Sequence, residues 1–415
     1  MRVKLCFIVL ILFCPAAQLR AQDPDLERYI ESEEEQRDPT VFLDYLESLR
    51  RNPMDLNRAS ATQLQTLPWI SPTLAAAIIA AREEGGFFSA GEDLLDVAGM
   101  DAERLALMQP FVRVSLQRPE PRLSVQFRHR LQRDIQKARG YQEGIYAGGP
   151  EKIYNRLTGE MGENMRFCLL GEKDAGEERL DDLLTGFGGY RTSGGRLELL
   201  IGDMVMECGQ GLVFWSPYQI QKGYDAVAPG KQRPRGLKPF CSVSENRAFR
   251  GAGLSVELGR WQVNVLASRT GRDATIRSDS VSALLESGYH RTTSEIDRRD
   301  ALDERLGGVV ANWDPHPAAR FGLGLQRTDY DHPFSGGDDF YGFTGKSNTV
   351  AGAHYDLAYR DINLFGEAAR SSSGGWAMIS GCWFERGDVD LVFSWRSFQK
   401  DFHNFHGSAF GERSK

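Results

Sequence analysis

The chain has 415 residues, with 50 Lys and Arg against 57 Asp and Glu, a formal net charge of −7. That balance excludes a generally polybasic nucleic-acid binder, because duplex affinity comes largely from cations that replace condensed counterions. Beyond the first 21 residues no run approaches the ~20 apolar residues of a transmembrane helix, so any membrane crossing must use strands.

Residues 1–21 read as an export signal: Arg2 and Lys4 lead, Leu5 to Phe13 is a short apolar run, and Leu19-Arg20-Ala21 ends on a small residue. Cys14 invites a lipoprotein reading, but Phe13 before it is too large for a usual lipidation site. Residues 22–53 form an acidic lead-in, with Glu31, Glu33, Glu34, Glu35 and Asp38 crowded together. Thr40 can cap a helix bearing Phe42, Leu43, Leu46 and Leu49, which Asn52-Pro53 ends.

Residues 54–115 carry two helix–hairpin–helix units in tandem. Ser60 caps a short helix with Leu64 and Leu67, and Pro68-Trp69-Ile70 is a tight connection. Ser71 caps the next helix, with Pro72 at its first position and Leu74, Ile78 and Ile79 facing inward, and Gly85-Gly86 stops it. Ser89 and Glu92 fit a capping box for a third helix through Leu94 and Leu95. Val97-Ala98-Gly99-Met100 is the second hairpin, and Asp101 caps a fourth helix with Leu105 and Met108 that ends at Pro110. Each pair is too small to bury a core alone, so the two should pack as one pseudo-symmetric unit.

From 120 to 415 the rhythm becomes period two. Alternating runs occur at 123–127, 152–161, 164–173, 195–204, 252–258, 261–269, 318–327 and 348–358. Residues 355–359, 363–369, 376–384 and 389–397 form a further series, separated by turn signals such as Arg360-Asp361 and Arg386-Gly387-Asp388. Strands of this length, with one apolar and one polar face and alternating short turns and long loops, suit an outer-membrane barrel. A soluble periplasmic sheet is the competing reading. Phe187, Trp215, Tyr218, Trp261, Tyr341, Phe343 and Trp395 are candidates for an interfacial aromatic girdle.

Hairpin units grip phosphate through backbone N–H groups at the start of the second helix. Here the first hairpin, Trp69-Ile70-Ser71, lacks the flanking glycines that allow close approach. The second keeps Gly99 and then places the Asp101 carboxylate where phosphate would sit. Between Asp55 and Arg113 there are eight acidic residues and four basic ones, a local net of −4. A structural or protein-contact module is therefore the favoured expectation. If DNA is bound, Gly99, Met100 and Arg104 are the candidate contacts, with Arg82 auxiliary.

Glu172, Lys173 and Asp174 with Glu177 read as charges lining a lumen or its rim rather than a catalytic carboxylate set. Glu245, Arg247, Arg250, Arg291 and Glu295 extend that candidate charge network, which would plug or filter a lumen and would mean little on a solvated face. Gly345-Lys346-Ser347 imitates a P-loop end, but position 340 is Phe. His403 and His406 have a metal-like spacing without a third ligand, and no nucleophile elbow occurs. No catalytic residue, metal or cofactor is expected. Of the cysteines outside the export signal, Cys168, Cys208, Cys241 and Cys382 show no CxxC spacing. Free thiols are the favoured reading, with Cys208–Cys241 as the shortest loop that pairing would close.

Many short strings resemble a family of envelope proteins from Bacteroidota-type bacteria. In the helical part these are Leu56-Asn57, Leu64, Leu67-Pro68, the segment 82–88, Glu92-Asp93-Leu94 and Pro110-Phe111. In the strand part they are 172–177, Gly202-Asp203, 209–212, Trp215, 221–223, 244–246, Phe249-Arg250-Gly251, 288–292 and Phe365-Gly366-Glu367. The resemblance implies an export signal, an acidic lead, a module like that of the competence DNA receptor ComEA, and an outer-membrane barrel. It also implies a chain continuing past Lys415, so the barrel is expected to lack its last strands. The expected fold is α+β and multidomain: an all-α tandem helix–hairpin–helix module, then a large antiparallel, incomplete β-barrel. The expected function is a non-enzymatic outer-membrane protein with its module in the periplasm, for transport, envelope organisation or partner docking. The alternative is a DNA-uptake component, and an enzyme acting on lipid or glycan is disfavoured. Expected partners are outer-membrane lipid, periplasmic proteins and, in the alternative, DNA.

Overall fold

The computed structural model describes residues 46, 49–50, 53–67, 69–114, 123–136, 138–162, 164–192, 195–216, 227, 230–245, 248–285, 287–336, 342–387 and 389–407. The export signal, most of the acidic lead-in, Pro68, Tyr218, Gln221-Lys222-Gly223, Asn246, Arg247 and Tyr341 lie outside them.

The helical module forms as its capping residues dictate. Helix α1 (Ala61–Leu64) starts at Ser60, whose side chain accepts from Gln63 N while the Gln63 side chain accepts from Ser60 N. Helix α2 (Pro72–Gly85) is capped by Ser71 Oγ on Leu74 N at 3.1 Å. It stops at Gly86, whose φ of 87° suits glycine. The third segment is a 3₁₀ turn, Gly91–Asp96, rather than a full helix. Its cap is also not the expected Ser89–Glu92 box. Asp93 Oδ2 instead accepts from Ser89 N (2.6 Å) and Ala90 N (3.0 Å), because 3₁₀ geometry brings that residue under both amides. Helix α3 (Ala102–Met108) is capped by Asp101 on Arg104 N at 2.7 Å. Leu56, Leu64, Leu67, Ile70, Leu74, Ile78, Leu94, Met108 and Phe111 form one core, and Leu46 and Leu49 of the lead-in join it. A short parallel pair, β1 (Met54–Asp55) with β2 (Val112–Arg113), ties the two ends of the module together.

Among the described residues, the rest forms one sixteen-stranded sheet. Its main path runs through thirteen strands in chain order: β3 (Leu123–Arg133), β4 (Glu151–Met161), β5 (Met165–Lys173), β6 (Leu183–Arg191), β7 (Leu197–Glu207), β9 (Phe249–Leu258), β10 (Trp261–Arg272), β13 (Leu302–His316), β14 (Ala319–Ser335), β15 (Thr344–Tyr359), β16 (Ile362–Ser371), β17 (Trp376–Arg386) and β18 (Val389–Phe398). Every neighbouring pair on this path is antiparallel. Strand β8 (Gly236–Pro239) pairs β7, while β11 (Ala274–Arg277) and β12 (Ser280–Leu284) form a side hairpin. Among the described residues β3 and β18 are open edges, each paired on one side only.

The two faces of the sheet differ. One presents Phe167 and Leu169 of β5, Leu199 and Ile201 of β7, Phe321, Leu323 and Leu325 of β14, and Phe393 and Trp395 of β18 to the outside. The other face of β7, β10, β13, β15, β16 and β17 converges on one buried cluster with the loop 208–216, so the sheet curves around that loop. Glycines on the inner face make room for it. A Cβ at Gly308 would fall 2.4 Å from Phe214, and one at Gly352 2.6 Å from Val213.

Candidate functional site

Two built features emerge: a filled sheet interior, and a junction between the helical module and one end of the sheet. The strand connections define the ends. The closely spaced strand ends Met161/Met165, Leu258/Trp261, His316/Ala319, Tyr359/Ile362 and Arg386/Val389 lie at one end, the short-turn end, and the widely spaced ends Lys173/Leu183, Glu207/Phe249 and Arg272/Leu302 at the other, the long-segment end.

Glu367 holds the loop inside the sheet. It projects inward from β16, and its carboxylate accepts from the backbone N–H groups of Gln210 (2.6 Å), Leu212 (2.9 Å) and Val213 (3.1 Å). The residues after β18 close over the loop. Asn404 Nδ2 donates to Leu212 O and Val213 O, Gln326 Nε2 donates to Asn404 Oδ1, and Trp215 N donates to His406 O. At the long-segment end Glu304 takes Arg272 (2.8 Å) and His406 (3.1 Å). At the end of β7, Arg235 pairs with Glu207 in a buried contact that Ser216 shares. These partners saturate buried charges that would otherwise be costly.

The helical module docks at the short-turn end. Arg233, from the segment that returns through the interior, reaches the first hairpin. Its Nη1 donates to Gln65 O (3.4 Å), Leu67 O (3.3 Å) and Ile70 O (3.3 Å), and its guanidinium lies over the Trp383 ring. Lys231 pairs with Asp356 of β15 at 2.6 Å and lies 3.5 Å from Gln65 Oε1. Glu385, beside the last short turn, accepts from Thr73 Oγ1 (2.6 Å) and pairs with Arg104 (3.2 Å). A small cleft lined by Thr62, Gln65, Gln210, Arg233, His354 and Asp356 remains where module, loop and sheet meet.

The candidate DNA contacts all have internal partners. Arg82 donates to Leu56 O (3.0 Å) and Ala59 O (2.9 Å), bracing the module. Gly99 takes φ +88°, and Met100 packs on the module core. Arg104 donates to Gly99 O (2.9 Å) and faces both Asp101 and Glu385.

Among the described residues, the candidate lumen charges have these partners. Glu172 and Asp174 share Lys152, at 3.1 and 2.5 Å. Lys173 donates to Gly149 O and Glu151 O. Arg250 is on the outer face, paired with Asp203 at 2.7 Å, because strand alternation turns it away from its buried neighbour Phe249. Arg291 pairs with Glu295 and lies 4.0 Å from the Tyr289 ring centroid. The expected girdle also divides. Trp261 is half exposed and stacks with Trp313 at 5.9 Å, and Trp395 is 56% exposed. Trp215 and Phe343 are buried instead, the first in the loop inside the sheet and the second in a small cluster with Tyr330.

The cysteine expectation is corrected. Cys168 of β5 and Cys241 are disulfide-bonded, with Cα atoms 6.3 Å apart and a sequence separation of 73. Cys168 faces inward, where the segment after β8 meets it, so spatial proximity overrides loop length. Cys208 and Cys382 are free.

A second cluster sits among the long segments. His290 Nδ1 lies 2.6 Å from Asp182 and its Nε2 3.1 Å from Asp273, while Arg299 also bonds Asp182. Glu177 accepts from Asp174 N and His290 N, and Glu245 abuts Gly288. Ligand-type atoms of Glu177, Asp182 and His290, of Glu245, Asp273 and His290, and of Cys208, His354 and Glu367 converge within each set. Asp182, Asp273, Glu177 and Glu367 in these sets already accept protein donors: His290 and Arg299 on Asp182, His290 on Asp273, backbone amides on Glu177 and Glu367. A cation would have to displace them.

Burial opposes charge on His290, but the carboxylates of Asp182 and Asp273 overcome it and lift its pKa to about 10. Burial, then the neighbouring carboxylates Glu177, Asp182 and Asp273, raise Glu245 to about 8 against the pull of His290. Both shifts are upward, so the folded state binds more protons than the unfolded chain. The His290 contribution is complete below 6.5 and lost as pH rises through about 10. The Glu245 contribution is lost between 4.5 and about 8. Amide protection of 287–301, corrected for intrinsic exchange, is therefore expected to fall as pH rises from 7 to 10. His290→Gln should be low throughout and remove the His290 part of the slope. An unchanged profile in that variant would contradict the assignment.

A family profile described as "Helix-hairpin-helix motif" matches residues 51–113. No curated protein matches the chain. Among solved structures, a loop L8 deletion mutant of OmpT, an outer membrane protein of Vibrio cholerae, aligns at 8% identity over 67% of this chain and 95% of its own, with a TM-score of 0.28. OccK11 of Pseudomonas aeruginosa aligns at 14% identity over 66% and 89%, with a TM-score of 0.23. OmpF of Salmonella typhi aligns at 10% over 66% and 89%, with a TM-score of 0.27. At these scores nothing carries over from them to this chain. The helix–hairpin–helix identity belongs to the module, and the sheet is characterised by its own topology.

Proposed function

We propose that the chain is an exported, non-enzymatic outer-membrane protein whose sheet lies in lipid and whose helix–hairpin–helix module faces the periplasm as a docked cap. The observation that carries this is the outward apolar band. Along β10 it runs from Trp261 past Val265 to Arg269, where outward ion pairs begin: Arg269–Asp303, Arg327–Asp329 and Arg250–Asp203. Those eight residue steps span roughly 26 Å along the strand before tilt, close to the ~25 Å apolar band of outer-membrane barrels. Short turns characteristically face the periplasm in such barrels, which supports the periplasmic side for the docked module.

The filled interior favours partner docking or envelope organisation over an open transport pore. Loop 208–216 and residues 399–407 occupy the space a channel would need. The DNA-uptake reading has the module's family behind it, yet its best residues are committed internally. The test is a charge placed on the outer face. Leu323 is 65% exposed; Leu323→Arg should cost about 2–4 kcal/mol of folding stability in lipid vesicles, where a soluble sheet would change by about 0.5 kcal/mol or less. Denaturant midpoints followed by heat-modifiable migration decide between them, and an unaffected midpoint would sink the proposal.

A further inference from the structure

Glu385 bridges groups from both hairpin units. Thr73 stands in the first turn of the fourteen-residue helix α2, the second helix of the first unit, where the helix dipole favours an anion. Arg104 belongs to α3, the second helix of the second unit. The Glu385 carboxylate, which comes from the sheet, accepts the Thr73 hydroxyl at 2.6 Å and faces the Arg104 guanidinium at 3.2 Å. Arg104 is held for this contact by Gly99 O and Asp101. On the opposite pole of the first hairpin, Arg233 satisfies the carbonyls of Gln65, Leu67 and Ile70. A cation from the interior and an anion from the sheet thus occupy both polar ends of the hairpin.

We infer that the Glu385 carboxylate is a built-in occupant of the module's oxyanion position, so that docking on the sheet and binding of an external phosphate-type anion are mutually exclusive. The Thr73 hydroxyl and the Arg104 guanidinium are donors that suit a phosphate oxygen as well as a carboxylate. The sheet's own anion is permanently present at high effective concentration, so an external one competes poorly. The autoinhibitory contact explains how a module of this family can have its hairpins turned inward. It does not depend on the sheet lying in lipid.

The test uses the full chain in detergent micelles, as wild type and as Glu385→Gln, with Thr73→Val as a milder variant that leaves Glu385 and Arg104 in place. Hydrogen exchange is read at residues 71–75 and 101–105. In Glu385→Gln these amides should exchange at least about tenfold faster, with strand amides unchanged. Inorganic phosphate at ~50 mM, compared with chloride at equal ionic strength, should restore most of the protection in Glu385→Gln and leave wild type unaffected. Thr73→Val should show a smaller increase and weaker rescue. A short DNA duplex that also restores protection assigns the oxyanion to nucleic-acid backbone; rescue by phosphate alone assigns a small oxyanion. Wild-type exchange in Glu385→Gln, or phosphate no better than chloride, overturns the inference. Should the chain be a soluble sheet, the same experiment reads out in buffer, so the two failures remain distinct.

Discussion

Replacing Glu367 with alanine is expected to cost about 4 kcal/mol and to loosen the interior. Three buried backbone N–H groups, those of Gln210, Leu212 and Val213, converge on this one carboxylate. Each buried donor left unpaired costs about 1–3 kcal/mol, partly offset where water enters, and breaking a buried charged contact costs about 3–5 kcal/mol. Glutamine is a graded control. It keeps one acceptor oxygen but turns an NH₂ toward donors, so its loss should lie between wild type and alanine. The denaturant midpoint measures the stability. Planar-bilayer conductance measures the loop, because a displaced 208–216 segment opens the space it fills. A Glu367→Ala protein with an unchanged midpoint and no added conductance would show that the loop is held by packing alone.

Replacing Arg233 with methionine should undock the module while leaving the sheet folded. Methionine keeps contact with Trp383 but removes the donors to Gln65 O, Leu67 O and Ile70 O. Bonds of 3.3–3.4 Å are at the long end of the useful range. Taken together they should be worth about 3 kcal/mol, or somewhat more than a hundredfold in the docked-to-undocked ratio. Limited proteolysis should then cut within residues 54–113 at rates the wild type does not show, while the strand region keeps its heat-modifiable migration. Equal cleavage of both proteins would mean that Glu385 and the remaining contacts suffice.

The parts of this architecture legible in the sequence are those fixed by local rules. Ser60, Ser71 and Asp101 mark helix starts because a side-chain oxygen two or three residues before a free amide has one good use there. Strands β14 to β18 are legible because outward Phe321, Leu323 and Leu325 alternate with inward Gly322, Gly324 and Gln326, and later strands repeat the rhythm. Strands β6 and β13 are missed for a matching reason. Gly186, Gly188 and Gly189 erase the alternation in β6, and Asp303-Glu304-Arg305 with Gly307-Gly308 masks it in β13.

The site was far less legible. Loop 208–216 has no periodicity, and its position depends on glycines of distant strands that leave room for Val213 and Phe214. Arg233 and Glu385 reach the module across more than 160 and 300 residues of sequence, respectively. The cluster Lys231-Gln232-Arg233-Pro234-Arg235 is a compact basic run, and it is one hint that the sequence offers. Glu367, a carboxylate in the middle of an apolar strand, is a similar signal, since such a group needs donors. Cys168 with Cys241 could not be chosen from spacing, because the shorter loop to Cys208 was the alternative that the sheet's geometry rejected.

Lipid contact of the outer face can be measured directly with single-tryptophan proteins. The chain has seven Trp, so six are replaced by Phe to leave either Trp395 or Trp383. Trp395 is 56% exposed on the outward face of β18 and Trp383 is 3% exposed on the inner face of β17. In vesicles whose acyl chains carry bromine, Trp395 should be strongly quenched and Trp383 spared. Quenching that fails to distinguish the two, or Trp395 emission typical of open water, would contradict a sheet set in lipid with its interior filled by its own chain.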